Sequence, residues 1–293
     1  MREMREMAIR IEKTSGACGA AVTGLNLSEA ISDETISVLR AAWLEHHVLV
    51  FPEQKLSNLE LERFTTYFGE FGFDPFIASI EDHEHIIALA RKADETASIF
   101  ADSWHTDWSF QEMPPAGTCL YGITVPPVGG NTFFINQHKV LADMPAELRA
   151  QLEGKIAIHS AAAGYAPDGL YGDKDQDNDR TMDIKFSEDA WETQEHPIIR
   201  PHPESGEEMI YGCLGYIQGF KGMSEDDSRA LLFELYHWQI EEAFQYSHKW
   251  SPDMLVMWDN RSVLHKASGG YEGHARLMHR TTIADKVRSA VTN

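Results

Sequence analysis

Residues 118–136 read TCLYGITVPPVGGNTFFIN, two short apolar runs parted by a Pro-Pro and a Gly-Gly pair. Runs rich in β-branched and aromatic residues and closed off by turn formers predict strands rather than helix. From about Trp104 onward the same texture recurs in KIAIHSA (155–161), EMIYGCL (208–214), DMLVMW (253–258) and RLMHRTTI (276–283). So many short strands point to a sandwich or a closed barrel. Two stretches break the pattern, 139–153 (KVLADMPAELRAQLE) and 225–246 (EDDSRALLFELYHWQIEEAFQY). Their apolar residues recur every three or four positions, which predicts helices packed outside the sheet.

Upstream the texture is mixed. Residues 32–46 carry Ile36, Leu39, Ala42 and Trp43 on one helical face behind a Ser or Asp cap, and VLVF at 48–51 reads as a buried strand. Residues 57–68 (SNLELERFTTYF) form a second amphipathic pattern, with Gly69 as its expected C-cap. The expected class is α+β, mainly β. Segment 164–185 (GYAPDGLYGDKDQDNDRTMDIK) is rich in Gly and Asp and has no apolar period. It reads as a long mobile loop, either an active-site lid or a surface insertion. No repeat or linker divides the chain, so one domain over residues 1–293 is expected.

Charge narrows the function classes. With 25 Lys and Arg against 46 Asp and Glu, the formal charge of -21 repels phosphate backbones and anionic lipid, so nucleic acid is not an expected partner. An anionic small molecule must then be drawn in by local cations, which directs attention to any arginine in a pocket. Cys18, Cys119 and Cys213 match neither a disulfide framework nor a zinc spacing, and a reducing, cytoplasmic location is expected. MREMREMAIR at the N-terminus shows no signal-peptide pattern, and no apolar stretch is long enough for a membrane span.

Three motifs carry the chemistry. In SWHTDWSF (103–110), His105 and Asp107 are two apart, so on a strand both would leave one face and could grip one ion. His-x-Asp by itself is equally a hydrogen-bonded pair. In MLVMWDNRSVLHK (254–266), a strand, a polar turn and a second short run deliver His265, which lies 265 − 105 = 160 residues beyond His105 and would need the fold to bring it there. In RLMHRTTI, Arg276, Met278, Arg280 and Thr282 share a strand face by alternation, and two arginines so placed could bind two different anions. The bland reading is an exposed edge with surface salt bridges.

Together WHTD (104–107), PPVGGNTFFIN (126–136), HPIIRPHPESG (196–206) and WDNRSVLHKASGGYEGHARLMHRTTI (258–283) resemble the taurine and 2,4-dichlorophenoxyacetate dioxygenase-like family of Fe(II)/2-oxoglutarate-dependent oxygenases, over nearly the whole chain. The resemblance implies a double-stranded β-helix, or jelly roll, with flanking helices. It implies Fe(II) held by His105, Asp107 and His265, with three positions left open for 2-oxoglutarate and O2. Thr132 and Arg276 match the residues that hold the distal carboxylate of 2-oxoglutarate, and Arg280 matches a position used for an anionic substrate group. The activity implied couples decarboxylation of 2-oxoglutarate to succinate with oxidation, usually hydroxylation, of a small organic sulfonate, sulfate ester or carboxylate.

Taurine-using relatives carry a His-Pro-x-x-Tyr element and an Asn four residues before the first ligand; here those positions read Asp74-Pro75-Phe76-Ile77 and Ala101, which argues against taurine itself. Asp74 could meet a substrate amine or hydroxyl or be a solvated loop acid, and Trp108 could line the pocket or belong to the core. The rival readings, a hydrolytic metal enzyme or a non-catalytic metal-binding jelly roll, give Thr132 and Arg276 no role. Relatives also lead us to expect a homo-oligomer, a dimer or tetramer.

Overall fold

The computed structural model describes residues 9–175 and 178–285. Residues 1–8, which hold most of the N-terminal stretch read above, residues 176–177 of the expected loop, and residues 286–293 lie outside the described residues.

Eight strands form the large sheet, in the order β1 (Arg10–Lys13), β2 (Ala20–Thr23), β3 (Val48–Phe51), β14 (Met254–Asp259), β6 (Gly117–Thr124), β16 (Arg276–Ile283), β5 (His83–Arg91) and β4 (Ser79–Ile80). Three smaller sheets accompany it: β13 (Gln245–His248) with β7 (Thr132–Asn136) and β15 (Val263–Ala267); β12 (Ile217–Phe220) with β8 (Ile156–Ser160) and β9 (Thr193–Pro197); and β10 (Ile199–Pro201) with β11 (Glu208–Ile210).

Alternation along the strands explains the layering. In β3 and β14, Leu49, Phe51, Leu255 and Met257 face outward onto Trp43 of α1 (Asp33–His46) and Phe64 of α2 (Asn58–Thr66). Their neighbours Val48, Val50, Val256 and Trp258 face inward and meet Phe134 of β7 and Val263 of β15. Both faces are covered, which is why VLVF and MLVMW are continuously apolar instead of alternating. Behind the small sheets, Ile135 and Leu264 pack on α3 (Gln137–Ala142), α4 (Ala146–Leu152) and α6 (Glu225–Gln239). Burying each of these aliphatic and aromatic side chains contributes roughly 1.5–3 kcal/mol.

Three helix boundaries differ from expectation. The segment 139–153 is two helices, because Pro145 lacks an N–H and restricts the residue before it, so α3 ends at Ala142 and α4 starts at Ala146. The helix expected over 225–246 stops at Gln239; Gln245–His248 is instead β13, whose backbone finds partners along β7. α2 ends at Thr66 with Tyr67 as its C-cap, not Gly69; a side chain at Gly69 would lie 2.8 Å from Ile283, so that glycine serves close packing. At the other end of α2, Ser57 and Glu60 form a full capping box.

Candidate active site

The residues that could hold a metal ion, His105, Asp107 and His265, are assembled where the chain passes from the large sheet to the small one. β14 ends at Asp259, residues 260–262 turn, and β15 points Val263 and His265 inward. His105 does not lie on a strand, contrary to the expectation for His-x-Asp. Its backbone instead exchanges two hydrogen bonds with His265, N–H to O at 3.0 and 2.7 Å, and the chain turns at once, with Trp108 at φ 49°. This isolated bridge fixes the two imidazoles side by side, ring centroids 4.2 Å apart. Asp107 Oδ1 then lies 3.8 Å from His105 Nε2 and 3.6 Å from His265 Nε2. Among the described residues no other group of three His, Cys, Asp or Glu side chains converges this way.

Local contacts fix the protonation of this set. His105 Nδ1 donates to the Ser103 carbonyl at 2.8 Å, which leaves the Nε2 lone pair facing Asp107. Burial holds His105 below its ordinary value and His265 down at about 3, so both rings are neutral at neutral pH and able to offer a lone pair to a metal ion. Burial opposes ionisation of Asp107, but Arg280, the two histidines and a hydrogen bond from Thr118 together hold its carboxyl at about 2. That hydrogen bond, 2.6 Å to Oδ2, ends a chain of donors: Trp258 Nε1 to Asn260 Oδ1, Asn260 Nδ2 to Thr118 Oγ1, Thr118 Oγ1 to Asp107. Sequence reasoning missed Thr118, Asn260 and Trp258. The only available signal was that a buried threonine and asparagine flank apolar runs, where they need polar partners.

Arg276 and Thr132 meet in a cavity that also reaches His105 and His265. Arg276 is 8% exposed; its Nε has no hydrogen-bond partner, and no carboxylate pairs with its guanidinium among the described residues. Burial lowers its pKa, opposed only by Tyr271. Thr132 Oγ1 accepts from Trp250 Nε1 at 2.9 Å, so its own proton is free to donate into the cavity. The Gly-Gly turn shapes this wall: Gly129 sits at φ 64°, and a Cβ there would come within 2.4 Å of the Gly270 carbonyl oxygen.

Arg280 and Trp108 line a second cavity, with Tyr165, Tyr171 and Tyr216, that shares Phe100, His105 and Arg280 with the first. Arg280 is buried, not on an exposed edge; Nη1 is 3.5 Å from Asp107 Oδ1 and Nη2 donates to Asp74 Oδ1. The solvated reading of Asp74 does not hold: its side chain is 9% exposed and also accepts from Trp108 Nε1 at 2.6 Å. Trp108 is both core and wall, 1% exposed with Arg280 over its ring. Tyr165 and Tyr216, deep in this cavity, carried no recognisable sequence pattern.

Segment 164–185 is tied down across these cavities. Thr181 bonds Glu95 through its N–H and hydroxyl (3.0 and 2.6 Å), Asp179 caps the N–H groups of Thr96 and Ala97, and Met182 and Arg180 reach the Arg276 cavity. Tyr165, which ends the short helix α5 (Ala162–Tyr165), and Tyr171 are buried against Phe76 and Trp108.

Comparison with known proteins places the chain in a family. The family model described as taurine catabolism dioxygenase TauD, TfdA family matches residues 10–282. An alkylsulfatase of Acinetobacter baylyi is 30% identical, over 95% of this chain and 86% of its own length. An alpha-ketoglutarate-dependent sulfate ester dioxygenase of Pseudomonas putida is 29% identical, over 96% and 91%. An alpha-ketoglutarate-dependent 2,4-dichlorophenoxyacetate dioxygenase of Cupriavidus pinatubonensis is 30% identical, over 92% and 95%. Among solved structures, a taurine dioxygenase from Burkholderia xenovorans superposes with a TM-score of 0.78 at 26% identity, covering 95% of this chain and 90% of that one. A match that spans almost every described strand, and with them the His-Asp-His cluster and the arginine-lined cavities, has one meaning: the chain belongs to the taurine catabolism dioxygenase (TauD, TfdA) family.

Proposed function

We propose that this 2-oxoglutarate-dependent dioxygenase oxidises a small organic anion, a sulfonate, sulfate ester or carboxylate, at an Fe(II) centre held by His105, Asp107 and His265. One observation carries the reading: a buried guanidinium without a counter-ion, Arg276, faces the same cavity as the imidazoles of His105 and His265, whose Nε2 atoms lie 3.8 and 3.6 Å from the Asp107 carboxylate. That donor set suits non-haem Fe(II) and leaves room for further oxygen ligands. Fe(II) bound there would supply the O2-dependent chemistry that turns 2-oxoglutarate into succinate and CO2 while oxidising the substrate.

The chain's own residues supply the rest. Arg276 receives the distal carboxylate of 2-oxoglutarate through its planar fork, and Thr132 donates its hydroxyl proton to the same group. Arg280 anchors the substrate's anionic end, and Trp108 with the tyrosines of the second cavity encloses its apolar body. The facing sheets are read as a double-stranded β-helix within a single domain over residues 1–293, and segment 164–185 as the lid that excludes water from both cavities. Support for the lid comes from its bonds to Glu95, Thr96 and Ala97.

An anaerobic titration of the Fe(II)-loaded protein with 2-oxoglutarate tests this: a visible metal-to-ligand charge-transfer band is expected. No band with fully loaded iron overturns the reading and leaves a hydrolytic or non-catalytic metal site.

A further inference from the structure

Arg280 is not a bare cation. Its Nη2 donates to Asp74 Oδ1, the same oxygen that accepts Trp108 Nε1 at 2.6 Å, while Asp74 Oδ2 lies 3.4 Å from Thr282 Oγ1. The Asp74 side chain is 9% exposed and is not among the residues lining either cavity, so it acts from behind the arginine. Asp107, 3.5 Å from Nη1, belongs to the cluster of metal-ligating side chains, which leaves Asp74 as the dedicated counter-ion of Arg280.

We propose that Asp74 sets the charge selectivity of the substrate cavity, admitting a singly charged head group at Arg280 and excluding a doubly charged one. This rests on the reading of Arg280 as the substrate's anchor. With Asp74 in place, the guanidinium is already matched by one negative charge, and an arriving monoanion leaves the group of three with one net negative charge. A dianion leaves two, in a buried setting where unlike and like charges act with little screening. Arg280 keeps donors for a substrate: Nε is buried without a partner, and the contacts to Asp107 and Asp74 each leave one further N–H uncommitted on Nη1 and Nη2. A sulfate ester or sulfonate carries one charge, whereas a phosphate monoester of the same shape carries nearly two above its second pKa of about 6. Asp74 therefore separates sulfur oxyanions from the phosphate esters that resemble them.

The isostere Asp74→Asn isolates the charge. Its amide oxygen can still accept from Arg280 and Trp108, and its amide nitrogen can donate to Thr282 Oγ1. Asp74→Glu keeps the charge and alters the shape. Binding of hexyl sulfate and hexyl phosphate would be measured by anaerobic calorimetry at pH 7.5 on the enzyme loaded with Fe(II) and 2-oxoglutarate. Wild type should prefer the sulfate by about tenfold or more, and Asp74→Asn should bring the two to within about threefold, chiefly by tightening the phosphate. Asp74→Glu should keep most of the preference.

A wild-type enzyme that binds both equally overturns the proposal without any variant. So does an unchanged preference in folded Asp74→Asn. The underlying reading fails separately: if Arg280→Ala binds hexyl sulfate as wild type does, or if neither ligand binds any of the proteins, Arg280 is not the anchor whatever Asp74 does.

Discussion

Removing the guanidinium of Arg276 tests the proposed co-substrate site most directly. Two charge-assisted N–H to carboxylate bonds at about 1.5–3 kcal/mol each would be lost in Arg276→Ala, so about 3–6 kcal/mol and a rise in the 2-oxoglutarate dissociation constant of about two to four orders of magnitude are expected. Arg276→Lys keeps the charge but not the fork and should lose about half of that in free energy. A second readout comes from the burial of this cation. With Nε unpartnered and the side chain 8% exposed, the arginine contributes little to the stability of the protein free of ligand, and burying it there is costly. Ligand-free Arg276→Ala should therefore melt no lower than wild type by much more than the loss of packing against Tyr271 and Gly130 requires. Only wild type should gain the roughly 2.7 kcal/mol expected at 2-oxoglutarate a hundredfold above its dissociation constant. The assay is the anaerobic charge-transfer titration together with calorimetric melts with and without 2-oxoglutarate. Wild-type affinity in Arg276→Ala, or an equal thermal shift in both proteins, would refute the reasoning.

Thr118→Val strips Asp107 Oδ2 of its hydrogen bond at 2.6 Å and should weaken Fe(II) binding about 10- to 100-fold, measured by competition with a chelator; unchanged affinity would show the Trp258–Asn260–Thr118 chain to be only structural. At the same end of β14, burial opposes ionisation of Asp259, but Arg261 and His202 hold its carboxyl well below the usual range. A carboxyl depressed in the folded state stabilises fully above its unfolded pKa of about 4, and that stability is lost as pH falls further. Urea melts across pH 2.5–7 should thus show Asp259→Asn about 3–5 kcal/mol less stable at pH 7, with a flatter acid limb than wild type. Gly129→Ala places a methyl 2.4 Å from the Gly270 oxygen at φ 64° and should cost about 1–3 kcal/mol in a thermal melt; a neutral result would mean the two glycine turns are free to separate.

What the chain revealed of itself divides along physical lines. Strands such as β6, β7, β14 and β16 were legible because their apolar runs are bounded by Pro, Gly and Asn, and the punctuation survives in the fold. β13 was not, because QYSH is a strand only by pairing with β7; its first two residues, Gln245 and Tyr246, fall within the helical pattern read over 225–246. His105, Asp107 and His265 were singled out through the family resemblance, but not how the fold brings them together. His265 reaches His105 and Asp107 through a backbone bridge between residues 105 and 265, a contact that no local window contains. Asp74 shows the same limit: beside a proline in a loop it looks solvated, and only the neighbouring β16 explains its burial.

The unsatisfied donors of the site explain why its two halves should communicate. His265 Nδ1, Arg276 Nε and Arg280 Nε are all buried without partners, which a stable fold tolerates only where something else completes them. Arg276 opens into one cavity, whereas Arg280 and His105 border both. Arg280 also touches the carboxylate of Asp107 at 3.5 Å, so any charge that draws this guanidinium changes the field at the metal-ligating oxygen, and the reverse follows by reciprocity. A substrate anion that pulls Arg280 away from Asp107 leaves that carboxylate a stronger donor, and tighter metal binding in the presence of substrate is the consequence. Because Asp74 holds the same guanidinium from behind, it limits how far Arg280 can follow the substrate; the strength of this coupling should therefore grow in Asp74→Asn, which is measurable as the fold-change in Fe(II) affinity on adding hexyl sulfate.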